Sequence, residues 1–201
     1  MTCPFQPKIE KEAVEALPVL AYEGRRIVVV DRLELHAEAV ADLRTASYVG
    51  FDTETKPSFA KGEHNKVALV QLATYDTCYL FRVHKTGLSK ELLDLLCDAG
   101  VTKVGISLND DLHMLLQRAR FIPHGWVDIQ SISPKLGIED LSLQKIYAIV
   151  FGLKISKSQR LTNWEARTLT DKQRMYAAID AWACMDLYHA MKPFLNQLDH
   201  V

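Results

Sequence analysis

The sequence predicts an α/β protein in which helices cover a mixed β-sheet. Three consecutive strand-like runs lie between residues 48 and 81 and favour an antiparallel meander. Beyond residue 88 helical and strand-like segments alternate, which is typical of α/β units. A meander followed by such units implies a mixed sheet. The 201 residues suffice for one large domain with a substantial core.

The first elements lie near the N-terminus. Residues 26–30 (RIVVV) are a β-branched run and predict a strand. The apolar residues between 33 and 46 recur near helical spacing and predict a helix. Residues 1–25 are mixed in polarity and contain three prolines. We therefore expect them to form a loosely attached leader with one short helix at most.

The remaining elements follow in order. The meander strands are predicted at 48–54, 67–73 and 78–81, with a polar loop at 56–66. The α/β part is predicted as a helix at 88–98 ended by Gly100, a strand at 102–106, a helix at 110–119 and a strand at 126–129. From residue 140 the chain is predicted to be helical with one basic connector. The last helix starts with a capping box at Thr170 and Gln173 and is expected to end near Met191, before Pro193.

Composition excludes several classes of protein. The net charge is -1, so no overall basic field favours nucleic acid, and any such binding must depend on a local patch. The scattered cysteines Cys3, Cys78, Cys97 and Cys184 lack disulfide or zinc spacing and are predicted to be free thiols. Because no signal-like or membrane-spanning run occurs, a cytoplasmic protein without membrane contact is expected.

Two acids end the strand Tyr48–Thr55. Side chains alternate along a strand, so Asp52 and Glu54 project from one face while Phe51 and Thr53 point to the other. Such a pair indicates either a solvated strand end or a cation site. Hard divalent ions take oxygen ligands, and the buried character of the preceding residues weakens the solvated alternative.

Two further acids lie on predicted helices. Asp111 follows a strand at a helix start, where an acid can serve a ligand site or complement the helix dipole. Asp180 lies one turn after Tyr176 on the inward stripe of the last helix. A buried acid is costly unless it is paired or binds metal. Four acids from three segments are therefore candidates for one site.

The order and spacing of these residues resemble the DEDD superfamily of 3'-5' exonucleases, in its tyrosine subclass. FDTET (51–55) matches the first motif, DLHMLL (111–116) the second and YAAID (176–180) the third. KVALVQLA (66–73) and KSQRLTNW (157–164) are similar to the flanks in Werner-type exonuclease domains and ribonuclease D enzymes. The resemblance covers residues 26–192, leaving 1–25 as leader and 193–201 as a C-terminal tail.

The resemblance implies a ribonuclease H-like fold with helices on both faces of the sheet, and two Mg²⁺ or Mn²⁺ ions. Asp52 would bridge both ions, Glu54 and Asp180 would complete one site, and Asp111 would hold the other. Tyr176 would orient the attacking water, because a phenol is a poor base near neutral pH. Asp110 is interpreted as a helix-start acid.

Residues near the acids are candidates for substrate contacts. Thr53 and Thr55 adjoin the acids, and Lys157 and Arg160 belong to the cationic run 154–174, which can bind phosphates or form a solvated face. His113 can stack on a base or lie on the surface. The predicted partner is nucleic acid, and protein partners or self-association are left open. The leading hypothesis is a DNA 3'-5' exonuclease; the alternatives are ribonuclease D-like RNA trimming and a non-enzymatic nucleic-acid-binding module.

Overall fold

The computed structural model describes residues 5–58, 62 and 65–198 of the chain. Its strands are β1 (Arg26–Val30), β2 (Tyr48–Thr55), β3 (Val67–Ala73), β4 (Thr77–Phe81), β5 (Thr102–Gly105) and β6 (Trp126–Asp128). The α-helices of the described part are α1 (Lys11–Ala16), α2 (His36–Leu43), α3 (Val83–Thr86), α4 (Lys90–Leu96), α5 (Leu108–Leu116), α6 (Ile129–Ile132), α7 (Leu143–Phe151) and α8 (Asp171–Leu198). Short 3₁₀ turns lie at Leu33–Leu35 and Ser133–Leu136.

The strands form one mixed sheet in the order β1-β4-β3-β2-β5-β6. Strands β2, β3 and β4 are the predicted antiparallel meander, and its register pairs Asp52 with Gln71 and Glu54 with Leu69. Strands β1, β5 and β6 each run parallel to their neighbour in the sheet. The prediction of a mixed sheet is therefore confirmed.

Helices cover both faces of the sheet, as predicted. On one face Phe51 and Val70 pack in a core with residues of α2, α4 and α5. On the other face Leu69 and Leu80 pack against small residues of α8. A third cluster joins Val104 to α6, α7 and α8. The long helix α8 is thus the layer that contacts the centre of the sheet on the side where Asp52 and Glu54 project.

Several helix ends differ from the predicted ones. Helix α4 ends at Leu96 with Cys97 as its C-cap, and Gly100 lies in the following turn without a positive φ. Helix α5 begins at Leu108 rather than residue 110, and it ends at Leu116 rather than 119. Its start is fixed by Ser107, whose left-handed conformation ends the extended backbone of β5.

Helix α8 continues through Pro193 to Leu198, so the predicted end near Met191 is wrong. Proline removes one backbone hydrogen bond from a helix interior and disfavours continuation. Here tertiary packing supports the last turns, because Phe194 makes an edge-on contact with Phe5 at 5.6 Å between ring centroids. A long-range contact of this kind is invisible to a local proline rule.

The described part of the N-terminal segment, residues 5–25, is packed against the sheet's helical layer, so the expected loose attachment is wrong for these residues. Val14 and Leu20 are buried. The backbone N–H of Ile9 donates to the carboxylate of Asp140 at 2.9 Å, and that of Leu20 donates to the carbonyl of Lys154 at 2.8 Å. Each contact joins residues more than a hundred positions apart in the sequence, so no local sequence pattern could predict it. The domain boundaries inferred from the resemblance stay a prediction.

Cys78, Cys97 and Cys184 are free, as predicted, while Cys3 lies outside the described residues. Much of the predicted polar loop 56–66 also lies outside them, at residues 59–61 and 63–64. Across the described part of the chain, no helix is both long enough and apolar enough to traverse a bilayer.

Candidate active site

Three of the predicted acids meet where β2 and α8 touch. Asp52, Glu54 and Asp180 each offer a carboxylate oxygen within 4.8 Å of the others. The two layers approach closely at Gly50, where an added Cβ would lie 1.9 Å from the carbonyl oxygen of Ala181. Because Gly50 and Asp52 are two residues apart on one strand face, this contact brings Asp180 down onto the acids of β2.

Asp111 approaches from the other side of the strand. It lies in the first turn of α5, and the hydroxyl of Thr53 donates a hydrogen bond to its carboxylate. Asp111 also lines a cleft of about 410 Å³ together with Asp52 and Asp180. The structure thus brings the four predicted acids to one place, and it gives the Thr53 side chain a partner within the protein.

Burial and mutual repulsion raise the pKa values of these acids. Burial raises the pKa of Asp52, and the charges of Asp180, Asp111 and Glu54 add to the effect. Burial and then Asp180 and Asp111 raise the pKa of Glu54 to about 9. Burial raises the pKa of Asp180 to about 7 and that of Asp111 to about 6. Like charges held this closely favour either protonation or a bound cation.

The donor set fits hard divalent cations. The four side chains offer carboxylate oxygens and no sulfur or nitrogen, which suits Mg²⁺, Mn²⁺ or Ca²⁺ better than softer metals. Asp180 is only 8% exposed, and the positive charges facing the acids do not prevent the net rise of their pKa values. These residues can therefore hold a cation that relieves their repulsion.

Tyr176 lies one turn before Asp180 on α8. Its hydroxyl donates to the Asp180 carboxylate, which partly offsets the rise in the pKa of that acid. Burial, and then the charges of Asp180, Glu54 and Asp52, raise the pKa of Tyr176 itself. The phenol therefore stays protonated, with its ring 6.0 Å from that of the buried Trp164.

Two cations of the basic connector reach the cleft. Lys157 and Arg160 line it, and their charges oppose the raised pKa of Asp180 and Glu54, respectively. Other cations of the same run have structural partners. Lys154 donates to the carbonyl of Glu15 at 2.5 Å, and Arg174 pairs with Asp171. The cationic patch at the cleft is thus smaller than the number of positive charges in this run suggests.

The other predicted substrate residues lie at different positions. Thr55 lines a neighbouring cleft of about 370 Å³ with Lys56, Met114 and Gln117. His113 is exposed on α5 and lines neither cleft. The surface alternative for this histidine matches its position.

Sequence reasoning missed the residues that aim α5 at the cleft. Ser107 has φ 56° and ψ 38°, a left-handed conformation that is uncommon for serine. The Asp128 carboxylate accepts hydrogen bonds from the backbone N–H groups of Leu108 at 2.9 Å and Gln130 at 2.8 Å. One acid therefore caps α6 and also binds the start of α5. The sequence contains one indication of this contact, the acid at the end of β6. An acid at that position is equally typical of an ordinary helix N-cap.

Comparison with known proteins shows which family the sequence matches. A family profile described as 3'-5' exonuclease matches residues 27–196. The bifunctional 3'-5' exonuclease/ATP-dependent helicase WRN of Mus musculus is 28% identical over 91% of this chain. DNA polymerase I of Aquifex aeolicus is 30% identical over 81% of this chain. The chain spans 14% and 26% of the length of these two relatives.

Solved structures share the fold. The Nibbler EXO domain of Aedes aegypti has a TM-score of 0.77 and 24% identity, covering 91% of this chain and 94% of that domain. Ribonuclease D of Trypanosoma brucei in complex with RNA U12 has a TM-score of 0.73 and 22% identity, covering 83% of this chain and 62% of that one. Because the family profile matches most of its length, the chain belongs to the 3'-5' exonuclease family.

Proposed function

We propose that the chain removes nucleotides from the 3' end of DNA with the help of two Mg²⁺ or Mn²⁺ ions. The observation that carries this proposal is the meeting of four acids from β2, α5 and α8 at one cleft: Asp52, Glu54, Asp111 and Asp180. A folded protein gains nothing in stability from burying repelling carboxylates. Their arrangement is explained if cations bind among them.

Each acid has a distinct part in this proposal. Asp52 would contact both ions, Glu54 and Asp180 would hold one of them, and Asp111 would hold the other. The bound ions would neutralise the phosphate and lower the pKa of a coordinated water. Thr53 fixes the direction of the Asp111 carboxylate by its hydrogen bond. Such a bond keeps a ligand oriented before the ion arrives.

Tyr176 orients the attacking water and does not deprotonate it. Its raised pKa keeps the hydroxyl proton in place near neutral pH, so the group is a poor base. With that proton donated to Asp180, the Tyr176 oxygen can accept a hydrogen bond from the water. Lys157 and Arg160 lie at the rim of the same cleft, where cations can bind the phosphates of the incoming strand. Backbone contacts of this kind tolerate any base sequence.

DNA is proposed as the substrate because, of the two relatives compared above, the one with the higher identity, 30%, is named DNA polymerase I. The second candidate is RNA trimming. It is favoured by the fold's likeness to a ribonuclease D that was solved with RNA. The two candidates share the same acids and differ only in the strand that the cleft accepts.

Matched DNA and RNA strands of one sequence test the proposal. Each is labelled at its 5' end, annealed to leave a recessed 3' end, and incubated with Mg²⁺ or Mn²⁺. We expect a ladder that shortens stepwise on DNA and is abolished by Asp52→Asn. A ladder on RNA alone would move the assignment to RNA trimming. A ladder on neither strand, or one unchanged in Asp52→Asn, would refute the proposed chemistry.

A further inference from the structure

Gln71 lies beside Asp52 in the sheet. The register of β2 and β3 pairs these two residues directly, and directly paired residues project from the same face, with Cβ atoms about 4.5–5.5 Å apart. Leu69 and Ala73, two positions before and after Gln71, pack in the cluster that contains α8. The Gln71 side chain therefore projects toward α8, on the face that carries the acids.

The carboxamide of Gln71 is buried without a protein partner. Its side chain is 0% exposed, and neither the Nε2 nor the Oε1 atom has a hydrogen-bond partner within the described residues. The buried His36 differs, because its Nδ1 atom bonds to Ser89. Burying an unpaired polar group lowers the stability of a fold. Every other residue of β3 is apolar and buried, so packing alone would favour a leucine here.

The register of the sheet places one carboxylate directly beside this donor. On the β4 side the register pairs Gln71 with the apolar Leu80. Above it, the part of α8 in the same cluster presents Ala177, Ala178 and Ala181. On the β2 side its directly paired residue is Asp52. A carboxylate that ligates a cation keeps lone pairs that can accept a hydrogen bond from an amide N–H.

We propose that Gln71 is a positioning residue for Asp52. Its Nε2 group donates to the Asp52 carboxylate and holds it in the orientation that binds metal. The inference depends on the proposed metal role of Asp52 and extends it to a neighbour that contacts neither ion nor substrate. Partners that orient metal ligands typically contribute 10- to 100-fold to metal affinity or activity.

The first measurement is thermal stability in the presence of a chelator. Gln71→Met keeps the length of the side chain and removes the unpaired amide, so we expect an unchanged or higher Tm. Gln71→Leu is a second variant in case methionine packs badly. Gln173→Met is the matched control, since that buried amide bonds to Thr162 and Asn163 and its loss should lower the Tm.

The second measurement is Mn²⁺ binding by calorimetry. We expect both Gln71 variants to raise the Kd for Mn²⁺ about 10-fold or more, and to lower kcat with little change in KM. Leu80→Met is the control for repacking of the same core. It lies one strand further from Asp52, and we expect it to bind Mn²⁺ like the natural protein.

Two results would overturn the proposal. One is natural Mn²⁺ affinity in both Gln71 variants; the other is a loss of affinity accompanied by a fall in Tm as large as that of Gln173→Met, which would indicate a structural role. Asp52→Asn separates this inference from the proposed function. If Asp52→Asn binds Mn²⁺ normally, the metal site itself is wrong; if only the Gln71 variants bind normally, the positioning role is wrong.

Discussion

At the scale of single residues, the buried acids of the cleft lower the stability of the metal-free fold. Burial raises the pKa of Asp180 to about 7, although the Tyr176 hydroxyl and the charge of Lys157 oppose the rise. An acid whose folded-state pKa is raised holds a proton that the unfolded chain releases. The free energy of unfolding therefore falls as the pH rises from about 4 to about 7.

Asp180→Asn should stabilise the metal-free protein. The amide cannot ionise and still accepts the hydrogen bond from Tyr176. In chelator at pH 8 we expect a rise in Tm of about 2–8 °C, at ~2–4 °C per kcal/mol. The gain should vanish as the pH approaches 4, where both the folded and the unfolded chain hold the proton.

Thermal melts of both proteins across this pH range check the prediction, and Mn²⁺ supplies its control. Mn²⁺ should raise the Tm of the natural protein and have less effect on the variant, because one ligand is lost. Nuclease activity should disappear. A variant that is less stable at pH 8 in chelator would contradict the idea that Asp180 destabilises the fold.

At the scale of elements, the contact between β2 and α8 sets the spacing of the acids. An added Cβ at Gly50 would lie 1.9 Å from the carbonyl oxygen and 2.7 Å from the carbonyl carbon of Ala181. These are backbone atoms, so the helix as a whole must move to admit a methyl group. Asp180 is the preceding residue of that helix and would move with it.

Gly50→Ala should therefore impair both stability and metal binding. Overpacking of a core typically costs about 1–3 kcal/mol, which should appear as a lower Tm. A displaced α8 should also raise the Kd for Mn²⁺ in calorimetry. Gly100→Ala is the control, because the atoms within 4 Å of its added Cβ belong to the side chain of Asp98. Natural Mn²⁺ affinity in Gly50→Ala would show that this contact does not set the site's geometry.

Local patterns were sufficient for the order of the main strands and helices and for picking out the acids, and insufficient for several helix ends and for the contacts that position the acids. The apolar run of β3 and the alternation around Asp52 are properties of neighbouring residues, so they can be read directly. The Gly50 contact with Ala181 joins positions more than a hundred residues apart. The same holds for Phe5 against Phe194, which carries α8 past the proline that local reasoning took as its end.

At the scale of the whole molecule, the N-terminal segment ties together parts of the helical layer behind the cleft. The Tyr22 hydroxyl donates to Asp186 of α8 at 2.5 Å. The Asp140 carboxylate accepts one hydrogen bond from the backbone of Ile9 and another from Lys145, both at 2.9 Å. The segment thus contacts α8 and the start of α7, and Gln144 of α7 lines the cleft.

Asp140→Ala should loosen this attachment without unfolding the sheet. Burial alone would raise the pKa of Asp140, but the hydrogen bonds from Ile9 and Lys145 hold it below its usual value. The contribution of the Asp140 carboxylate to stability is therefore complete above the unfolded-state pKa near 4, and it is lost as the pH falls through the folded-state pKa.

In the Asp140→Ala variant at pH 7, we expect the free energy of local opening to fall by about 1–3 kcal/mol. This should be seen as faster amide exchange in residues 5–25. Glu139→Ala removes an exposed pair with Lys8 and should change little. Equal exchange in both variants, or uniform loss of protection across β2 and β3, would mean that Asp140 does not anchor the segment.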